Sequence, residues 1–181
     1  MKVEQIYTKC LSQGSYYIES NNEVAIIDPI REIDTYIEKA KKNNSKIKYI
    51  FETHIHADFI SGHLNLAKKT NAEIIYGPKS ETKFDKTIAK DYEEFKIGNI
   101  TIVAIHTPGH TIESTTYLLR DANVSPVNIA WSVPLASLNK YVVLSIVCPG
   151  VWIATIVILP ILNSSKSFAI VLSNFVSDLG P

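Results

Sequence analysis

The chain has 181 residues, with 18 basic and 18 acidic side chains and five histidines, for a formal net charge of zero. That length supports one domain with a real core, and the balanced charge suggests neither a nucleic-acid partner nor an acidic tail. Cys10 and Cys148 are too few for a disulfide framework, and MKVEQIYTKC has no apolar signal run, so a reducing, cytoplasmic setting is expected.

The runs VEQIYT, SYYIES and EVAIID are β-branched and aromatic and are separated by turn residues, which predicts a meander of three strands. Asp28-Pro29 closes the third. Ile33, Tyr36, Ile37 and Ala40 then recur at helical spacing up to Asn43-Asn44. KIKYIFET predicts a strand that leads straight into histidines. Residues Ile60 through Lys69 predict a helix with Leu64, Leu66 and Ala67 inward, ending near Asn71. AEIIYG predicts a strand, residues 79 to 96 are polar and mixed, and NITIVAIHT and STTYLLR predict two further strands around Pro108-Gly109.

Composition breaks after this point. Residues 1–120 carry 16 of the 18 Lys and Arg and 16 of the 18 acidic residues, whereas the last 61 residues hold only Asp121, Lys140, Lys166 and Asp178. The 22 residues from Tyr141 to Leu162 are uncharged, which satisfies the length rule for a membrane span, although Pro149, Gly150 and Pro160 and the β-branched richness also suit buried strands. The division expected is a domain over 1–120 and an apolar tail over 121–181.

All five histidines lie between His54 and His110. His54 and His56 are two residues apart at a strand end, where alternation puts both on one face, and Asp58 keeps the phase. Two imidazoles and a carboxylate around one point suit a divalent metal. In HTPGHTIES, His110 follows Pro-Gly at the close of another strand, where a loop can carry an imidazole over a neighbouring strand end. A lone histidine is more often a structural group. That reading is applied to His63, on the face of its helix, and to His106, within its strand.

With these residues in hand, HIHAD, HTPGHT, the leading meander and "IIDP" resemble the metallo-β-lactamase superfamily over residues 1 to about 120. ETHIHADFISGH resembles its persulfide dioxygenase branch, including rhodanese-associated members. The resemblance implies an α/β fold, an αββα sandwich, with the metal at one edge of two packed sheets. It implies ferrous iron, or zinc in hydrolytic relatives, at one metal per chain. His54 and His110 match the family's histidine ligands, and His56 and Asp58 match motif residues that support that site or bind metal in hydrolases. Asp58 is also the expected catalytic carboxylate. Phe59 stands where hydrolases such as glyoxalase II place a second-metal histidine, which favours one metal over two. The implied reaction is oxidation of glutathione persulfide or a similar small persulfide. The alternative is zinc-dependent thioester hydrolysis of the glyoxalase II type, and a third reading is an inactive remnant that at most binds metal. The expected partner is a small-molecule thiol or persulfide, and a homodimer is compatible with these expectations.

The family's later pattern, a Gly-Asp-Thr-Leu-Phe-Ile-Gly-like stretch bearing a third iron ligand, has no counterpart after Arg120, so the sandwich is expected to be incomplete. Back-translated one base earlier, residues 130–144 permit Val-Gly-Ala-Thr-x-Phe-Ile followed by Val-Cys-Arg-Pro, which resembles that missing segment. The hypothesis is that a frameshift replaced the family's second half. Resequencing of the gene tests it, and an absence of any family-like alternative frame through this region would dismiss it.

Overall fold

A computed structural model describes residues 1–121 and the backbone of residues 141–144. The predicted tail, the frameshift hypothesis and most of the 141–162 run therefore fall outside the described residues. The first four residues of that run, Tyr141–Leu144, form a β-strand. Among the described residues, no helix is long and apolar enough to cross a membrane.

The meander forms as its sequence predicts. Strands β1 (Lys2–Thr8), β2 (Gln13–Ser20) and β3 (Glu23–Ile27) pair antiparallel in order. Connections then lengthen to include helices, and the pairing turns parallel. Helix α1 (Asp34–Lys42) carries the chain from β3 to β4 (Lys46–Phe51), and α2 (His63–Thr70) carries it from β4 to β5 (Glu73–Tyr76). A crossover of this length is what a parallel neighbour requires. A two-residue strand, β6 (Thr87–Ile88), completes a six-stranded sheet. The second sheet is antiparallel, with β7 (Glu94–Ile97), β8 (Ile100–His106), β9 (Thr115–Asp121) and β10 (Tyr141–Leu144).

Strand β6 lies inside the polar stretch 79–96, and β7 starts in it and ends at Ile97, with only Phe95 and Ile97 as its apolar face. The β7–β8 hairpin turns on Gly98-Asn99 between the paired Ile97 and Ile100. Gly98 has φ +50, and a Cβ there would lie 2.4 Å from the Ser20 carbonyl oxygen, so both conformation and space call for glycine.

Alternation along the first sheet separates two cores. Tyr17, Val24, Ile26, Ile47 and Ile50 face the helices and pack with Tyr36 and Ala40 of α1 and Leu66 of α2. Their sequence neighbours Tyr16, Ile18, Ala25, Ile27 and Phe51 face the second sheet, against Phe95, Ile97, Ile102, Tyr117 and Leu119. Because both faces are covered, the central strands read as continuous apolar runs. The described layers are helix, sheet and sheet, three of the four in the expected sandwich. Helix α2 starts at His63 rather than Ile60. Leu64, expected inward, is exposed, and Leu66 is the buried residue of this helix.

Phe51 lies at the centre of the inter-sheet core, with ring centroids 5.4 Å from Phe95 and 4.8 Å from Tyr117. Truncation leaves a cavity that rigid sheets cannot close. Phe51→Ala is expected to cost about 3–5 kcal/mol in urea denaturation; a loss below about 1 kcal/mol would show that this core is not packed as described.

Candidate metal centre

The loops that follow β3 and β4 leave the carboxyl ends of adjacent parallel strands, a position that brings loop side chains together at one sheet edge. The first such residue is Asp28. Its backbone is left-handed, with φ 48, an uncommon state that Asp tolerates better than most residues. Neighbouring groups hold it there. Its N–H donates to the Phe51 carbonyl (2.9 Å), and its own carbonyl accepts from Gln13 Nε2 (2.7 Å). The side chain is fully buried. Oδ1 accepts from the Thr53 N–H at 2.7 Å, and Oδ2 accepts from the Thr53 hydroxyl at 2.7 Å. His56 Nε2 lies 3.2 Å from Oδ1. Burial alone would raise the Asp28 pKa, but the adjacent His56 charge and the Thr53 donors outweigh it and hold the group below its usual value.

Strand β4 ends at Phe51, so His54 and His56 are not on a strand, and alternation is not what brings them together. Loop anchors do that. Thr53 is bound to Asp28 on one side, and on the other its carbonyl accepts from the Thr115 N–H at 2.8 Å. Glu113, buried between the two histidine loops, accepts from the Ile55 N–H at 3.0 Å. Burial pushes the Glu113 pKa up, but hydrogen bonds led by that from Ile55 bring it below the ordinary value. Gly62 closes the loop. Its N–H donates to the Pro29 carbonyl at 2.9 Å, and a Cβ there would lie 2.2 Å from the Ile30 oxygen.

Held in this way, the rings converge. The His54 and His56 centroids are 4.1 Å apart, and those of His54 and His110 are 4.9 Å apart. Asp58 Oδ1 lies 3.8 Å from His56 Nδ1. His54 is buried, while Asp58 and His110 are exposed, so the group opens to solvent on one side. Burial, and then the charge of His56, lowers the His54 pKa to about 4, which leaves a neutral imidazole at neutral pH. For His56, burial acts downward but Asp28, then Glu52 and Asp58, raise it to about 9. Phe59 packs its ring 4.4 Å from that of His56.

Two residues have larger roles than their sequence setting suggests. Glu52 is fully buried; its Oε2 is 3.5 Å from His56 Nε2 and its Oε1 is 3.2 Å from His63 Nδ1, and Ser61 donates to Oε1. Burial, reinforced by the Asp28 charge, pushes the Glu52 pKa well up. His63, expected as an ordinary helix-face residue, opens α2 and points inward, its ring 4.9 Å from Phe84 and 5.8 Å from Tyr76. Burial lowers its pKa to about 4. His106 closes β8, where its N–H donates to Asp91 at 2.8 Å, in keeping with a structural role. The sequence signal for Glu52 and Glu113 was only their place inside the two histidine motifs.

Two donor sets could hold a cation, and they share His56. The inner set is Asp28, Glu52 and His56, whose ligand atoms lie within 4.8 Å of one another. The outer set is His54, His56, Asp58 and His110. The inner carboxylates are sealed from solvent and already engaged by Thr53 and Ser61. The outer set is rich in imidazole and open to solvent, which suits a metal that must also meet a small molecule.

The fold is shared with known proteins. The pattern of the metallo-beta-lactamase superfamily matches residues 9–125. A hydroxyacylglutathione hydrolase of Buchnera aphidicola is 39% identical over 116 residues, 62% of this chain and 46% of that protein. A probable hydroxyacylglutathione hydrolase of Schizosaccharomyces pombe is 33% identical over 108 residues, 58% of this chain and 42% of that protein. The chain thus spans somewhat under half the length of these relatives. Among solved structures, a metallo-beta-lactamase of Staphylococcus aureus superposes with a TM-score of 0.62 at 39% identity, over 67% of this chain and 39% of that one. ETHE1 of Myxococcus xanthus superposes at 0.61 with 25% identity, over 66% of this chain and 54% of that one. With the family's pattern running through both histidine motifs and both sheets, the chain belongs to the metallo-beta-lactamase superfamily.

Proposed function

We propose that the chain is a metal-dependent hydrolase of small-molecule thioesters of the glutathione type, with one metal held by His54, His56, Asp58 and His110. The observation that carries this reading is the convergence of three imidazoles and a carboxylate on the solvent-open side of the strand ends. The substrate class follows the relatives, whose names are those of hydroxyacylglutathione hydrolases. Members of this superfamily bind metal ions, and the donor set fits one. The reaction adds water across the thioester, giving a carboxylic acid and a free thiol. A divalent metal, zinc in this reading, would supply Lewis acidity to the carbonyl and to water.

The chain's own residues prepare that chemistry. Thr53 and Glu113 fix the loop so that the imidazoles need not be ordered when a ligand arrives, which is the advantage of a preorganised site. Asp58, exposed beside His56, would offer one carboxylate oxygen to the metal and leave the other to accept a proton from water. Ile55, inside the first motif, and Ile112, directly after the second, are exposed and offer apolar surface to an organic substrate.

A second reading, a ferrous persulfide dioxygenase, is supported by Phe59. An aromatic ring packed on His56 occupies the motif position from which hydrolytic relatives supply a second-metal histidine, and the ETHE1 neighbour is consistent with that branch. The two readings share one site and differ in metal and co-substrate.

Assays of the purified chain separate them. The zinc-loaded protein is expected to release thiol from a hydroxyacyl-glutathione thioester, with His54→Ala and His110→Ala each lowering the rate at least about 100-fold. Oxygen uptake with glutathione persulfide by the iron-loaded protein, without thioester cleavage, would favour the second reading; metal binding with neither reaction would mark a non-catalytic remnant.

Metal binding is also expected to be linked to protons. His56, raised to about 9, carries a proton that a metal must displace, whereas His54, lowered to about 4, is already neutral. Apparent affinity should therefore rise about tenfold per pH unit from neutrality towards pH 9 and flatten above it, with one proton released per metal. A cobalt titration across pH 6.5 to 9.5 reads this directly; an affinity that does not change with pH would contradict it.

A further inference from the structure

We propose that the chain's own uncharged segment 145–162, which lies outside the described residues, packs on the exposed inner face of strand β1. Alternation splits β1 into two rows. Glu4, Ile6 and Thr8 are half-buried, and Ile6 packs into the core beneath the helices. Val3, Gln5 and Tyr7 lie on the side of the second sheet, because Ile18 and Tyr16, the β2 partners of Val3 and Gln5, belong to the inter-sheet core. That row is open. Val3 is 37% and Tyr7 49% exposed, whereas Ile18 and Tyr16, one strand inward, are buried. The inter-sheet core thus stops between β2 and β1. Gln5, the polar member of the row, already donates from Nε2 to the Tyr16 hydroxyl at 3.0 Å, so a cover leaves that donor satisfied. An apolar row left in water on an edge strand invites pairing with other chains.

The second sheet points to the occupant. At one edge, β7 stands over β4, with Phe95 against Tyr49 and Phe51. Towards the other edge, Asp121 at the end of β9 meets the N-terminal ammonium group of Met1 at 3.3 Å. The β9–β10 side of this sheet is therefore the side nearest β1. Strand β10 is outermost there, and among the described residues only β9 pairs with it. It runs from Tyr141, opposite Arg120, to Leu144, opposite Tyr117. The chain thus leaves Leu144 heading away from the Met1 end, in the sense that β1 runs towards Tyr7. Cys148 follows four residues later, a reach of up to about 13 Å. Residues 145–162 carry no charge and are rich in Val, Ile and Leu, so burying them against Val3 and Tyr7 strands no ionised group. A tether this short also gives the segment a local concentration that a second copy of the chain does not match. The tail lacks the family's later pattern, but covering this row asks for apolar surface and not for a motif.

Cross-linking in the full 181-residue chain tests this, with the native Cys148 as reporter thiol. Cys10→Ser removes the only other cysteine. On that background Tyr7→Cys puts a thiol on the open row, and Lys41→Cys puts one at an exposed position of α1 as a control. With a short bismaleimide, Tyr7→Cys is expected to join Cys148 within one chain at least about tenfold faster than Lys41→Cys does. Val3→Thr keeps the β-branched shape but places a hydroxyl in the row. It is expected to lower the urea midpoint by an amount independent of protein concentration, whereas on a solvated face the exchange changes little. Cross-links that join two chains would assign the face to a second copy and overturn the proposal. Equal rates from Tyr7→Cys and Lys41→Cys, or a midpoint unmoved by Val3→Thr, would overturn it as well. None of these readouts involves a metal, so they stand apart from the proposed hydrolase reading.

Discussion

The structure depends on burying one negative charge where two sheet-edge loops meet. A carboxylate removed from water is costly unless donors surround it. Asp28 solves this by drawing in the Thr53 N–H, the Thr53 hydroxyl and the His56 ring, while its own backbone is tied to Phe51 and Gln13. Each of those bonds fixes a piece of the loop that carries His54 and His56. The geometry of the histidines is therefore a consequence of satisfying Asp28. Removing the carboxylate would release both strand-end loops at once.

The fold supplies the two ends of that interaction. Parallel pairing of β3 with β4 sets Ile27 beside Phe51, so the next residues of each strand, Asp28 and Glu52, begin at the same sheet edge. The second sheet then brings β9 close enough for Thr115 to bond Thr53 and for Tyr117 to donate to the Glu52 carbonyl at 2.9 Å. Glu113 joins the two histidine motifs through Ile55. A site assembled from three loops in this way is rigid because strong backbone pairing stands directly behind each loop.

Much of this was legible in the sequence, for identifiable reasons. The meander, α1, β5, β8 and β9 declare themselves because each buries a regular apolar pattern: Tyr36 and Ala40 at helical spacing, Ile100, Ile102 and Ala104 at strand spacing. Strands β6 and β7 do not, since one has two residues and the other alternates with Glu94 and Lys96 on its exposed face. The clustering of His54, His56 and His110 was visible from their spacing, but the reason for it was not. Alternation along a strand was the expected cause, and anchored loops are the observed one. Asp28, Glu52 and Glu113 were hidden because an acidic residue in a loop reads as solvated unless its partners, here distant in sequence, are known. His63 was hidden for the same reason, since its partner Glu52 lies across the loop.

The chemistry of the site turns on which side of His56 receives a metal. A crystal of the zinc-soaked chain, with anomalous scattering measured at the zinc edge, locates it directly. The arrangement predicts one peak on the Nδ1 side of His56, beside His54 and His110, with Asp28 and Glu52 outside coordination distance. A peak on the Nε2 side, held between Asp28 and Glu52, would contradict it, as would no peak at either position.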